Sequence, residues 1–136
     1  MLRTAASYAA RWLLAVALLA AVGVALSPAH ARGPVAGSTE ATVTVTELPA
    51  EGQRVYALIL RGGPFAHDKD GVVFGNRERL LPRERRGYYR EYTVDTPGAR
   101  NRGARRIVCG GLRPRSPSAC WYTGDHYASF RRIVQP

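Results

Sequence analysis

A single helix followed by a run of short strands predicts an α+β fold, with the helix packed on one face of an antiparallel sheet. Three observations carry that expectation: one stretch of helical periodicity between Leu48 and Arg61, later segments rich in β-branched and aromatic residues, and turn signals between those segments. A chain of 136 residues suits one domain of this kind.

The first 31 residues are set apart from that domain. Arg3 and Arg11 precede the uncharged run WLLAVALLAAVGVAL from Trp12 to Leu26, and Ala29 and Ala31 supply small residues after it. This order reads as a signal peptide over 1–31, cleaved after Ala31. Fifteen apolar residues fall short of the ~20 that span a bilayer as a helix. The expectation is therefore a secreted protein with no stable membrane association once the leader is removed. Residues 32–41, which begin RGPVAGSTE, form a flexible lead-in, and 42–136 form the folded domain.

Within the domain, ATVTVTE from Ala41 to Glu47 alternates, with Val43 and Val45 on one face of a short strand. From Leu48 to Arg61, Val55, Leu58 and Ile59 fall at helical spacing, Pro49 stands near the start, and Gly62-Gly63-Pro64 stops the run. Gly52 weakens this helix, so packing must hold it. Gly62 to Gly87 is turn-rich, with the short apolar run Val72-Val73-Phe74 and then GNRER before Leu80-Leu81-Pro82; so long a mostly irregular segment in a small domain usually serves function. Strand patterns follow at Tyr88–Val94, Arg105–Cys109, Ala119–Thr123 and Ser129–Val134. Cys109 and Cys120 are the only cysteines. In an exported chain they are expected to form a disulfide across a hairpin; their spacing with His67 and His126 matches no zinc site, and no cofactor is expected.

Lys and Arg number 20 against 10 Asp and Glu, and Lys69 is the only lysine. Without the leader, 105 residues remain at a net charge of +8. So much arginine points to an anionic partner, since the planar guanidinium grips phosphate with two hydrogen bonds. No nucleophile elbow, phosphate-cradling glycine loop or metalloprotease motif is present. What remains is Glu91 in YYREYTV, His126 in TGDHY, and arginines at 100, 102, 105 and 106. Each has a plain alternative: an arginine-paired glutamate, a turn histidine, a solvated basic face. Together they suit cleavage of RNA, whose 2′-hydroxyl is its own nucleophile once one group takes its proton and another protonates the departing 5′-oxygen. Guanidinium groups can stabilise the charge that develops on the phosphoryl oxygens.

The blocks GGPF, DGVVFGNRERLLP, GYYREYTVDTPGARNRGARRIVCGG and YTGDHYASF occur in order between Gly62 and Phe130, within a stretch of likeness that runs from about Val43 to Ile133. They resemble the secreted bacterial guanyl-specific ribonucleases of the barnase and ribonuclease Sa type, nearest the ribonuclease Sa branch. The resemblance implies a helix on a five-stranded antiparallel sheet and metal-independent cleavage of single-stranded RNA after guanosine, through a 2′,3′-cyclic phosphate. It implies that Glu91 is the general base, His126 the general acid, and Arg102 and Arg106 the phosphate-binding arginines. Tyr127 stands beside the scissile phosphate, and Phe74, Gly75, Asn76, Arg77 and Glu78 form the guanine loop. That loop is chemically apt, because a carboxylate such as Glu78 accepts from N1–H and N2–H₂ of guanine while backbone amides face O6, and Phe74 offers a stacking face.

The chain departs from the family pattern at Ala66-His67, where Pro-Tyr is frequent, and in the position of Cys120, which lies in the C-terminal hairpin. The hairpin tip is also long and carries Arg113 and Arg115. The resemblance allows for a monomer and for an acidic barstar-like inhibitor as partner. Two other readings of the charge are a non-catalytic polyanion-binding module and an effector toxin with a cognate inhibitor; the module has no need of Glu91 or Glu78.

Overall fold

A computed structural model describes residues 39–136, so the leader and most of the lead-in lie outside the described residues. The elements in chain order are β1 (Thr42–Thr44), a 3₁₀ turn (Val45–Glu47), α1 (Ala50–Arg61), β2 (Val72–Val73), β3 (Tyr89–Thr93), β4 (Arg106–Gly110), β5 (Ala119–Thr123) and β6 (Arg131–Val134). The strands form one six-stranded sheet in the order β1-β6-β5-β4-β3-β2. Five antiparallel strands were expected; there are six, and β1 runs parallel to β6 with Val43 opposite Ile133. Alternation in TVTV marks a strand but carries no information about a partner ninety residues away.

The expected strand over 41–47 is also cut short. The Glu47 carboxylate accepts from the amide of Thr44 at 2.8 Å and from its hydroxyl at 2.9 Å, which ends β1 and holds the 3₁₀ turn that leads to α1. At the far end Gly62 adopts φ 85° and donates to Leu58 O at 2.8 Å, so the glycine stop works as a left-handed helix cap. Gly52 and Ile59 are buried, and Val55 and Tyr56 pack beside Ile59 against the core cluster; Leu58, expected on this face, is half-buried and outside that cluster. At Gly52 an added Cβ would meet Leu48 at 3.4 Å, so the glycine permits close approach of the entering chain.

Val72-Val73 supplies the sixth strand, an edge opposite Glu91 and Arg90. Gly71 N donates to Glu91 O at 2.8 Å and Phe74 N to Tyr89 O at 2.9 Å, which sets the loop after β2 beside β3.

Period-two alternation divides the sheet's two faces. Tyr92, Ile107, Cys109, Cys120, Tyr122 and Ile133 pack toward α1 with Val43, Leu48 and Ile59. Tyr89, Val108 and Trp121 point the other way, into a second cluster with Leu81, Phe74, Tyr127 and Phe130. Cys109 and Cys120 are cross-strand partners and are joined as a disulfide within the first cluster. The face away from the helix therefore carries Glu91, Thr93, Arg106 and Thr123, and Thr93, Arg106 and Thr123 lie side by side across three strands.

Candidate active site

Glu91 sits on that second face with its side chain 13 % exposed. Arg102 Nη2 donates to its Oε1 at 3.0 Å, and the Tyr127 hydroxyl donates to its Oε2 at 2.8 Å. Arg102 reaches the strand because its Nε also donates to the Thr93 hydroxyl at 2.7 Å. Two neighbouring positions of period two on β3 thus orient one guanidinium.

Arg106 is 2 % exposed and no carboxylate pairs with it among the described residues. Its Nη1 donates to the carbonyls of Gly103 at 3.0 Å and Arg105 at 2.7 Å, so it braces the turn that presents Arg102. The turn itself is tightened by Asn101, whose Oδ1 accepts from Gly103 N at 2.9 Å. Arg106 Nε is buried without a hydrogen-bond partner. Burying a polar cationic atom unpaired is costly, and an anion entering the site is the natural means of satisfying it.

The segment after β5 is built around Asp125. Its carboxylate accepts from the Ser129 hydroxyl at 2.6 Å, Ser129 N at 2.9 Å and the Thr123 hydroxyl at 2.8 Å. These bonds, Ser129's first, hold its pKa down at about 2. Thr123 Oγ1 in turn accepts from Tyr127 N at 3.1 Å, and His126 N donates to Ala104 O at 3.1 Å. His126 and Tyr127 have φ of 55° and 71°, a left-handed pair that side chains rarely adopt. The hydrogen bonds at Asp125 and Thr123 hold the turn in that conformation, and the His126 ring is exposed. Its centroid lies 5.0 Å from that of Tyr127, and Arg106 lies over the same tyrosine ring at 5.9 Å. Burial first, and then the Glu91 carboxylate, push the Tyr127 pKa up, so the phenol stays a proton donor to Glu91.

Beside this cluster opens a cavity of about 470 Å³, lined by Phe74 to Glu78 and Leu80 on one side and by His126 to Ala128 and Phe130 on the other. Phe74 stacks on Tyr127 with centroids 5.0 Å apart, joining the loop after β2 to the His126 turn. The loop is shaped by Asn76 at φ 48°: its Oδ1 accepts from Leu81 N at 3.1 Å and its Nδ2 donates to Leu81 O at 3.0 Å. The Asn76 side chain is therefore committed to the loop and leaves only its backbone to a ligand. Among the described residues the amides of Gly75, Asn76 and Arg77 donate to no backbone carbonyl. Glu78 is exposed at the rim and has no ion-pair partner among the described residues.

Glu91, Arg102, Arg106, His126, Tyr127 and the Phe74–Glu78 loop thus lie in one region of the fold, whereas no contact brings Arg100 or Arg105 side chains into it among the described residues. Sequence reasoning gave no role to Thr93, Thr123, Leu80 or Phe130, although all four lie in the blocks quoted above and period-two alternation puts Thr93 on the face of Glu91. His67 is elsewhere, with Nε2 2.7 Å from Asp95 Oδ1. Arg115 lies against Gly62 on the helix side and so does not extend the site. Among the described residues no three His, Cys, Asp or Glu side chains are grouped to hold a metal.

A family profile described as ribonuclease matches residues 31–134. The guanyl-specific ribonuclease Sa of Kitasatospora aureofaciens is 51 % identical over 94 residues, covering 69 % of this chain and 94 % of its own. The guanyl-specific ribonuclease St of Saccharopolyspora erythraea is 48 % identical over 92 residues, 68 % of this chain and 86 % of its own. Among solved structures, ribonuclease Sa2 with guanosine-2′-cyclophosphate superimposes with TM-score 0.63 at 45 % identity, over 71 % of this chain and 97 % of that one.

Proposed function

The chain belongs to the ribonuclease family, and from that membership we propose that it is a guanyl-specific endoribonuclease working by acid–base transphosphorylation. The observation that carries the mechanism is the placement of Glu91, between Arg102 and Tyr127, next to a cavity shared by the His126 turn and the Phe74–Glu78 loop.

Guanine enters that cavity, where Glu78 accepts from N1–H and N2–H₂, loop amides donate to O6, and Phe74 lies against the ring. Adenine presents neither the N1 donor nor the O6 acceptor, so the same groups would be left unpaired. The ionised Glu91 takes the proton of the 2′-hydroxyl as that oxygen attacks phosphorus. The bond from phosphorus to the 5′-oxygen breaks, and protonated His126 gives its proton to the departing oxygen. The products are a 2′,3′-cyclic phosphate and a free 5′-hydroxyl; water, with the two roles reversed, then opens the ring to a 3′-phosphate. Arg102 and Arg106 face the charge growing on the non-bridging oxygens. Removal of the 2′-hydroxyl removes the nucleophile, so DNA is not a substrate.

Product mapping on a defined RNA containing each base once, with EDTA present, tests this reading. Fragments ending in guanosine 3′-phosphate are expected. Cleavage after other bases, or only with added metal, would overturn it. Export with loss of residues 1–31 is part of the proposal, supported by the charged, apolar and small-residue order of that segment; a mature protein whose N-terminal sequencing does not begin at Arg32 would refute it.

A further inference from the structure

On the far side of the guanine loop lies a second groove, of about 520 Å³, that the reaction above does not use. Val73 to Arg77 form one wall, Glu84, Arg85 and Arg86 form the other, and the buried Tyr89 also lines it. The two walls are tied together: Asn76 Nδ2 donates to Leu81 O at 3.0 Å, and the Tyr89 hydroxyl donates to Pro82 O at 2.6 Å. Burial pushes the Tyr89 pKa up to about 12, so this hydroxyl remains a donor. The groove is thus formed before any ligand arrives.

Its chemistry is that of a single-stranded nucleic acid track. Arg77, Arg85 and Arg86 stand against one glutamate, all are exposed, and no carboxylate pairs with any of the three among the described residues. Val73, 45 % exposed, leaves an apolar surface between them on which a base can rest. A basic groove that tracks the phosphates is one part of how such strands are held without sequence preference, and Val73 adds apolar contact beside it.

The polarity of the RNA follows from the shared loop. None of Glu91, Arg102, Arg106 and His126 lines this groove, whereas those four groups surround the phosphate on the 3′ side of guanosine in the proposed reaction. The 3′ strand leaves past them, so the strand that continues across the guanine loop is the 5′ one. We propose that the groove binds the RNA segment preceding the recognised guanosine, with Arg85 and Arg86 on its phosphates. This rests on the ribonuclease reading and adds a binding site to it.

The test compares kcat/KM for the dinucleotide GpU, for GpU extended by two nucleotides at its 5′ end, and for GpU extended by two at its 3′ end, using the mature protein and R85S/R86S. The 5′ extension should raise kcat/KM about tenfold, equivalent to ~1.4 kcal/mol from charge-assisted phosphate contacts. The double variant should lose that gain while cleaving GpU normally, and its salt dependence on the 5′-extended substrate should be shallower by about 0.7 per lost phosphate contact. A gain from the 3′ extension alone, no gain from the 5′ extension, or an equal loss on GpU would overturn the groove assignment and leave the ribonuclease standing. Failure to cleave GpU and both extended substrates would remove the ribonuclease reading and the groove with it.

Discussion

Arg102 holds Glu91 through one oxygen at 3.0 Å, leaving the other oxygen to the Tyr127 hydroxyl at 2.8 Å. The carboxylate is therefore fixed in position by a donor on each oxygen, beside the cavity that the His126 turn and the Phe74–Glu78 loop share. Glu91→Gln keeps the shape and removes the proton acceptor. Turnover on RNA should fall by ~10²–10⁴-fold, with thermal unfolding close to that of the parent; a variant retaining full turnover would end the assignment of Glu91 as base.

Arg106 is buried with its Nε unpartnered, and this predicts linkage between anion binding and folding. Inorganic phosphate should raise the melting temperature, by the equivalent of ~2.7 kcal/mol at a hundredfold excess over its dissociation constant. Arg106→Met should melt at the same temperature with and without phosphate. A phosphate shift that survives in this variant would place the anion elsewhere.

Asn76 should affect stability and substrate affinity together. Replacing it with Ala frees Leu81 N and O from their partners and leaves a side chain other than Gly, Asn or Asp at φ 48°. Denaturant titration should show a loss of about 1–3 kcal/mol, and KM for guanylyl substrates should rise more than kcat falls. An unchanged KM would mean the loop keeps its shape without the clamp.

Asp125 makes the His126 turn sensitive to acid. Its folded pKa, about 2, lies below the ordinary 3.8, so its hydrogen bonds contribute stability that is complete above pH 4 and fades as pH falls toward 2. Asp125→Asn should therefore be less stable than the parent at pH 7, and the gap should narrow on acidification through that range. Urea midpoints measured from pH 7 to pH 2 would reveal it; a constant gap contradicts the prediction.

The disulfide between Cys109 and Cys120, 11 residues apart, closes a short loop. On chain entropy it contributes ~3 kcal/mol. The double Ala variant should lose about that much by denaturant unfolding while still cleaving after guanosine, because both sulfurs lie on the helix face of the sheet and the candidate site lies on the other. Loss of base specificity in that variant would show that the two faces are coupled.

Local signals were enough for much of this molecule. Helical spacing over Val55 to Ile59 with a Gly-Gly-Pro stop marks α1, alternation marks β3 to β6, and two cysteines in facing strand patterns mark the disulfide, because side-chain period and turn chemistry are properties of neighbouring residues. The kinds of group in the site were legible too, since Glu91, His126 and the arginines lie in recognisable blocks. The parallel pairing of β1 with β6, the bond from Tyr127 to Glu91 across 36 residues, and the commitment of Asn76 to Leu81 were not. Nor was the withdrawal of Arg115 to the end of α1, or the groove behind the guanine loop. Each depends on which distant segments meet once the sheet is assembled, and that is decided by packing on its two faces and by closure of long loops, neither of which leaves a periodic trace in the chain.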